Sequence, residues 1–344
     1  MTEAVYLGID TSCYTTSLFC MGRQGRAVAE ARRILKVKSG GCGLQQSEML
    51  YQHTRNLPEL VEAVAEGHDF TLLGIGVSAK PRPREDSYMP AFLAGLGFAR
   101  SLAALYHIPL WQISHQENHL EAALWSAQGC KAERFLFLHA SGGTTDLLLA
   151  DKQAAGNYNL KEIGGSLDLH AGQFVDRVGV ALGLSFPAGP ALERLAEEHT
   201  EVLEIPVSVH KTNVSFSGPC TWVLRAAEKE TKSSGQVASV EAQDVSVTPR
   251  HLCDTRLANL AASVQRGLAE TFVRMLRNGV AEYNVKDVIL AGGVCANRWI
   301  RRYMEADLAR RGIRVWLPES CYSGDNAAGC AAYARRQGEL IHHG

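Results

Sequence analysis

Residues 135–150, FLFLHASGGTTDLLLA, predict a β-strand, a turn of hydroxyl-bearing and glycine residues, and a second strand. The N-terminal residues 6–20, YLGIDTSCYTTSLFC, repeat this shape, because their apolar run stops at Asp10-Thr11-Ser12 and resumes at Ser17. Apolar runs on either side of a short polar turn favour β-hairpins. Two hairpins of the same shape indicate a duplicated domain.

Around these hairpins, predicted strands alternate with predicted helices. Apolar residues at helical spacing predict helices over 45–66 and 92–106, and short apolar runs predict strands at 71–79 and 108–114. A third glycine turn, in VILAGGVCAN (288–297), follows a strand and precedes a helix. This alternation is typical of an α/β fold.

The bulk composition excludes several classes of protein. The chain has 344 residues, so we expect two domains. The 35 basic and 36 acidic residues give a net charge of −1, so any contact with RNA requires a local patch or a partner. The nine cysteines form no CxxC pair, which argues against a disulfide framework and a thiolate zinc site. Neither a membrane span nor a secretory signal is visible, so we expect a cytoplasmic protein.

The glycine turns are candidate phosphate sites. Gly142-Gly143 and Gly292-Gly293 carry no side chains, so their backbone N–H groups can approach phosphate oxygens closely. A single glycine pair is more typical of an ordinary turn. With three such turns in one α/β pattern, nucleotide binding and ordinary turns are equally good explanations.

The stretch ISHQENHLEA (113–122) places His115 and His119 on one helix face, where both imidazoles can bind one metal ion. Ser114 is a candidate N-cap. Two unrelated histidines are the alternative. Glu117 is two positions after His115 and is rotated about 200° from it on a helix, so a metalloprotease mechanism of the HExxH type is excluded.

Further candidate ligands lie at the ends of predicted elements. His139 precedes the turn at 140–143, and Asp325 begins a helix of small residues, where an N-cap is the alternative role. Asp176 and Glu193 lie near helix ends, where carboxylates accept hydrogen bonds from ribose hydroxyls. For Asp176, pairing with Arg177 or solvation is the more common role.

Taken together, these motifs resemble the TsaD-type tRNA threonylcarbamoyladenosine synthases, once described as glycoproteases. The resemblance covers nearly the full length and rests on eight segments in the family's order: LGIDTSC (7–13), HQENH (115–119), SGGTT (141–145), GQFVDRVGVALGLSFPAGPALERLA (172–196), VSFSGP (214–219), NLAASVQ (259–265), LAGGVCANRWIR (290–301) and SGDNAAGCAAYA (323–334).

The resemblance implies two RNase H-like lobes of the actin/sugar-kinase/Hsp70 superfamily, with a nucleotide cleft between them. We expect one lobe to comprise 1–112 and 322–344, and the other 113–321, with a polar insertion around 226–254.

The resemblance also implies a set of site residues. His115, His119 and Asp325 match the family's metal ligands, and His139 stands where some members have a ligating tyrosine. Asp10 is a candidate catalytic carboxylate in a site whose chemistry centres on the metal. The implied adenylate-binding residues are His139, Ala140, Ser141, Gly142, Gly143, Asp176, Gly189, Glu193 and Asn297.

The activity implied by the resemblance is transfer of a threonylcarbamoyl group from threonylcarbamoyl-adenylate to the exocyclic amine of the adenosine beside the anticodon, in tRNAs that read ANN codons. The implied cofactor is one divalent metal ion, iron before zinc. The implied nucleotide ligand is threonylcarbamoyl-AMP or ATP. The implied partners are tRNA, a TsaB-like paralogue and a TsaE-like ATPase.

Three segments depart from the family pattern. Tyr14-Thr15-Thr16 replaces an acidic run, AKPRPREDSYMPA (79–91) replaces a loop of the AGPGL type, and SGPCT (217–221) replaces SGLKT. These departures leave three alternatives open: a diverged paralogue with another acceptor, a sugar-kinase-like phosphotransferase using Asp168 or Asp176, and a nucleotide-binding module without catalysis.

Overall fold

The computed structural model describes residues 2–37, 43–154, 156–233 and 255–343. The first part of the chain forms a five-stranded sheet with three helices. Its strands are β1 (Glu3–Asp10), β2 (Thr15–Gly22), β3 (Ala27–Ile34), β4 (Phe70–Lys80) and β5 (Leu110–Ser114), and its helices are α1 (Gln46–Ala65), α2 (Phe92–Tyr106) and α3 (His115–Ser126).

The rest of the chain forms a second five-stranded sheet, a two-stranded sheet and further helices. The strands are β6 (Arg134–Ala140), β7 (Thr145–Lys152), β8 (Tyr158–Gly165), β9 (Ser208–His210), β10 (Asn213–Ser215), β11 (Asp287–Ala291) and β12 (Arg314–Trp316). The helices are α4 (Ala171–Ala181), α5 (Gly189–Ala196), α6 (Ser217–Ser233), α7 (Thr255–Tyr283), α8 (Arg298–Ala309) and α9 (Ala328–His343), with 3-10 turns at Val294–Ala296 and Ser320–Tyr322.

The two large sheets share one topology. Their strand orders are β3-β2-β1-β4-β5 and β8-β7-β6-β11-β12. In each sheet three antiparallel strands are followed by two strands parallel to the first, so the carboxyl ends of three strands meet at one edge. Ligands of α/β proteins bind at such edges. The predicted α/β fold and the predicted hairpins are therefore confirmed.

Helix α3 contacts both large sheets. On α3, Leu120 packs with Phe135 and Phe137 of the second sheet, whereas Ala122 packs with Phe19 of the first sheet. The predicted lobe boundary at 113 assigns α3 to the second lobe, although this helix contacts both sheets. The boundaries 1–112 with 322–344 and 113–321 stay a prediction.

Helix α9 lies directly on the first sheet because glycines permit close contact between backbones. A Cβ atom on Gly8 would lie 2.1 Å from the Ala327 carbonyl oxygen, and one on Gly76 would lie 2.0 Å from the Cys330 carbonyl oxygen. Only glycine fits at these contacts without a shift of the backbone. This packing sets the position of Asp325, just before α9.

The predicted polar insertion lies mostly outside the described residues. Residues 226–233 continue α6 as a helix, and 234–254 fall in the part that the structure does not describe. Within the described segments, none of the helices combines the length and the apolar character needed to cross a membrane.

Candidate functional site

The histidine pair lies on the first turn and a half of α3, which begins where β5 ends. Ser114 caps this helix: its hydroxyl accepts from the Glu117 N–H (3.2 Å), and the Glu117 carboxylate accepts from the Ser114 N–H (2.7 Å). This capping box satisfies two backbone donors that a helix start leaves unpaired. Glu117 is therefore a helix-capping residue, in agreement with the exclusion of an HExxH mechanism.

Three imidazoles and a carboxylate converge at this helix start. The Nε2 atoms of His115 and His119 lie 3.1 Å apart, and one nitrogen from each of these histidines and from His139 lies within 4.8 Å of the others. Asp325 Oδ1 lies 3.6 Å from His115 Nε2 and 3.5 Å from His119 Nε2. The structure thus brings together all four predicted metal ligands, from α3, β6 and the segment before α9.

The electrostatic state of this cluster suits metal binding. His119 Nδ1 and both ring nitrogens of His139 have no hydrogen-bond partner among the described residues, although both side chains are fully buried. Burial and the neighbouring imidazoles lower the pKa of His139 well below its usual value, and burial and His115 lower that of His119. A neutral imidazole has one nitrogen with a free lone pair, and a divalent cation would bind that one nitrogen of each ring.

The Asp325 carboxylate supplies the negative charge of the cluster. Burial opposes its ionisation, but hydrogen bonding to His119 and the charges of both histidines hold its pKa at about 2. The Tyr14 backbone N–H also donates to this carboxylate. An ionised carboxylate beside imidazole nitrogens is a donor set that iron and zinc accept.

Asp10 lies at the end of β1, behind the histidines. Ser12 Oγ donates to it (2.9 Å), as does Ser78 Oγ, and its Oδ1 lies 3.5 Å from His115 Nδ1. Burial works against protonation of His115, but the charges of Asp10 and Asp325 raise its pKa. Carboxylates placed behind ligating histidines orient the ring and raise its basicity.

A cleft of about 420 Å³ opens beside Asp325 between the two sheets. The first sheet contributes Tyr14, Thr15 and Ile34 to its wall. Seven predicted site residues line it: Ser141, Gly142, Asp176, Gly189, Glu193, Asn297 and Asp325. Three other predicted site residues are not among the lining residues of the cleft. His139 and Ala140 are fully buried, and Gly143 is exposed.

Several predicted polar groups already have protein partners in the cleft. Asp176 Oδ1 accepts from the Ala188 N–H (2.8 Å), and burial raises the pKa of Asp176. Glu193 Oε1 accepts from the Arg298 N–H (2.9 Å). Asn297 caps α8 through Oδ1 and donates from Nδ2 to Gln265 (2.7 Å). The Asn297 side chain thus already has protein partners, whereas one carboxylate oxygen of Asp176 and one of Glu193 have no hydrogen-bond partner among the described residues.

The sequence did not predict that two aromatic side chains, Tyr14 and Phe186, line the cleft. Tyr14 of the β1–β2 turn packs edge-on against Phe186 of the second half, with ring centroids 5.5 Å apart. Both line the cleft. The only sequence signal for Tyr14 is that it replaces an acidic residue of the family pattern. Phe186 lies in the segment 172–196 that carries the family resemblance, but no pattern within that segment singled it out.

The fold and the cleft first define a class. Two sheets of equal strand order around a cleft form the fold that the resemblance implied, and solved structures share this fold. Full-length HypF in its phosphate- and nucleotide-bound form superposes with a TM-score of 0.55 at 12% identity, over 99% of this chain and 46% of that one. A ROK family glucokinase from Streptomyces griseus superposes with a TM-score of 0.53 at 12% identity, over 96% and 99%. At these identities the likeness shows the fold alone.

Sequence comparison then identifies the family. The TsaD family, described as tRNA N6-adenosine threonylcarbamoyltransferase, matches residues 35–332. A protein of that name from Albidiferax ferrireducens is 33% identical over 94% of this chain and 88% of its own length. The chain belongs to the TsaD family, which confirms the resemblance.

Proposed function

We propose that this chain transfers a threonylcarbamoyl group from threonylcarbamoyl-adenylate to the exocyclic amine of the adenosine adjacent to the anticodon, in tRNAs reading ANN codons. The observation that carries the proposal is the buried cluster of three imidazoles and one carboxylate beside a nucleotide-sized cleft, in a member of the TsaD family. Cytoplasmic location and TsaB-like and TsaE-like partners belong to the same proposal.

His115, His119 and Asp325 would hold one divalent metal ion, and His139 would add a third imidazole. Their unpartnered buried nitrogens support this assignment. The donor set suits iron and zinc about equally, and the family resemblance places iron before zinc. A metal ion so held supplies a Lewis acid that polarises the carbamoyl carbonyl. Asp10 acts on His115 from behind, where it fixes the orientation of the ring.

The adenylate would occupy the cleft that Ser141, Gly142, Asp176, Gly189 and Glu193 line. Gly142 and its neighbour Gly143 have open space where a Cβ atom would stand, so a phosphate can approach their backbone N–H groups. The free carboxylate oxygens of Asp176 and Glu193 can accept hydrogen bonds from ribose hydroxyls. Held in this way, AMP is aligned for departure and the carbamoyl carbon is oriented toward the acceptor amine.

Asp176→Asn is expected to weaken AMP binding about 10-fold, because a hydrogen bond to a charged acceptor contributes roughly 1.5–3 kcal/mol. The amide oxygen of asparagine still accepts from the Ala188 N–H, so the local fold stays intact. Isothermal titration with AMP measures the change. Glu197→Gln, in an exposed pair with Arg298, is the control and should bind AMP as the wild type does. Equal affinity in both variants would remove Asp176 from the nucleotide site.

The activity itself is tested by complementation. Expression in a strain depleted of its own TsaD, with the partners present, should restore the threonylcarbamoylated adenosine, measured by mass spectrometry of tRNA nucleosides. Absence of rescue by a stable, metal-loaded protein rejects tRNA as the acceptor. That outcome would favour a paralogue with another acceptor, to which the departures at Tyr14-Thr15-Thr16 and 79–91 would then be assigned.

The phosphotransferase alternative loses one of its candidate bases. Asp168 accepts hydrogen bonds from the Ser215 hydroxyl and from the backbone N–H groups of Leu169 (2.5 Å) and Phe216 (2.9 Å). These contacts join Asp168 to the start of α6 and hold its pKa far below the usual value against the opposing effect of burial. Asp168 is therefore an anchor of this helix.

A further inference from the structure

Loop 79–91, one of the departures from the family pattern, contacts the second sheet through Arg82. This loop follows β4 of the first sheet. Arg82 donates to Asp146 Oδ2 from Nε (3.1 Å) and from Nη2 (2.9 Å). Its backbone N–H donates to Ser87 Oγ (2.9 Å), which closes the loop on itself. Arg82 thus joins a loop of the first sheet to β7 of the second sheet.

Asp146 lies next to the strand that carries His139. In the antiparallel β6–β7 pair, His139 and Asp146 are register partners. Residues directly opposite each other in such a pair project from the same face of the sheet. The position of Asp146 is therefore coupled to that of His139.

Gln116 links the same carboxylate to the helix of the other two histidines. It follows His115 directly, and its Nε2 donates to Asp146 Oδ2 (2.6 Å). The Gln116 backbone N–H donates to the Pro81 carbonyl oxygen (3.2 Å). The start of α3 is therefore attached both to β7 and to loop 79–91.

The carboxylate at the centre of these contacts is buried. Asp146 is 4% exposed and Gln116 is 2% exposed, while the Arg82 side chain is about one-third exposed. Three N–H groups meet at one carboxylate oxygen, and Arg82 supplies the positive charge that balances it. Loss of one partner from a buried ion pair leaves an uncompensated charge, and the remaining groups then rearrange.

We propose that Arg82, through Asp146 and Gln116, is a positioning residue that holds His139 beside His115 and His119, so that the three imidazoles would bind one metal ion. The apolar contacts of Leu120 with Phe135 and Phe137 set the separation of α3 from the second sheet. The polar cluster around Asp146 sets the orientation of the helix start against β6. This inference rests on the metal site of the proposed function.

Titration of the purified, metal-free protein with Co²⁺ tests the proposal, with d–d absorption and X-ray absorption as readouts of affinity and imidazole count. Arg82→Ala is expected to weaken Co²⁺ binding by about 10- to 100-fold, the usual effect of losing an outer-shell partner, and to lower the count from three imidazoles to two. Arg82→Lys keeps the charge and should recover part of the affinity. Arg84→Ala is the matched control. Arg84 lies in the same loop, and in the described structure the ion pair of its side chain is with exposed Asp86.

The proposal is overturned if Arg82→Ala binds Co²⁺ with an affinity within twofold of the wild type and still through three imidazoles. Weakened binding that Arg82→Lys does not restore, with an equal loss of stability in the metal-free protein, assigns Arg82 a structural role and overturns it as well. A wild-type protein that binds no Co²⁺ rejects the metal site and the positioning role together. Failure of the tRNA complementation leaves this result unaffected, because metal binding is measured without tRNA.

Discussion

His119→Ala is expected to abolish metal binding and to lower the rate of threonylcarbamoyl transfer by about 1000-fold or more. The His119 side chain is fully buried, its Nε2 faces both His115 Nε2 and Asp325, and its Nδ1 has no partner among the described residues. Loss of this ligand removes a Lewis acid worth several kcal/mol of transition-state stabilisation, and about 1.4 kcal/mol corresponds to a factor of ten in rate.

Three measurements separate this effect from simple unfolding. Metal content after reconstitution should fall close to zero, while the far-ultraviolet circular dichroism of the metal-free variant matches that of the metal-free wild type. Metal should raise the melting temperature of the wild type and leave that of His119→Ala unchanged, because only a bound ligand stabilises the folded state. His68→Ala removes an exposed imidazole and serves as the control. A His119→Ala protein with wild-type metal content and activity would refute the assigned site.

Gly329→Ala is expected to destabilise the protein by about 3 kcal/mol or more, or to prevent folding. A Cβ atom on Gly329 would lie 1.9 Å from the Asn118 carbonyl oxygen and 2.8 Å from the Ala122 backbone nitrogen, so α3 and α9 must separate. Overpacking of a tight contact commonly costs about 1–3 kcal/mol, and backbone atoms cannot rotate away as a flexible side chain can.

The same separation would disrupt the hydrogen bonds that join the two helices. The Asn118 side chain donates to the Asn326 carbonyl oxygen (2.6 Å) and accepts from the Cys330 N–H (2.8 Å). Because Asn118 is adjacent to His119, and Asn326 to Asp325, metal binding should weaken together with stability.

Urea unfolding of the metal-free protein measures the effect, and Gly97→Ala provides the matched control. Gly97 lies in helix α2 and has nothing within 4 Å of the Cβ position, so the same substitution should stabilise the protein by about 0.5–1 kcal/mol. Equal unfolding midpoints for Gly329→Ala and the wild type would show that α3 and α9 tolerate a wider separation.

Much of the fold followed from local sequence patterns. The hairpins at 6–20 and 135–150, and the helices predicted over 45–66 and 92–106, appear within three residues of the expected positions. These elements depend on periodicities of two and of 3.6 residues, which are properties of short segments. Helical spacing likewise predicted that His115 and His119 share a face, and the position of Glu117 excluded the metalloprotease mechanism.

The sequence did not show whether the polar atoms of a predicted ligand residue already have hydrogen-bond partners within the protein. Asn297 stays a predicted adenylate-binding residue that lines the cleft, and the structure adds that its side chain caps α8 and contacts Gln265. Asp168 was a candidate base, but it anchors the start of α6. The type of a side chain shows which of its atoms can donate or accept hydrogen bonds. The partners of those hydrogen bonds come from elsewhere in the chain.

The sequence by itself determined the two repeated hairpins, the α/β class, the family and the residue types that can bind a metal, because each is encoded in short segments and in their order. The tertiary structure decided that His139 and Asp325 reach the histidine pair, that Tyr14 meets Phe186 across the cleft, and that Arg82 meets Asp146. The physical reason is that these contacts join segments far apart in sequence. Their geometry depends on how α3 packs against both sheets and how α9 packs on the first sheet and on α3, and no local pattern encodes that packing.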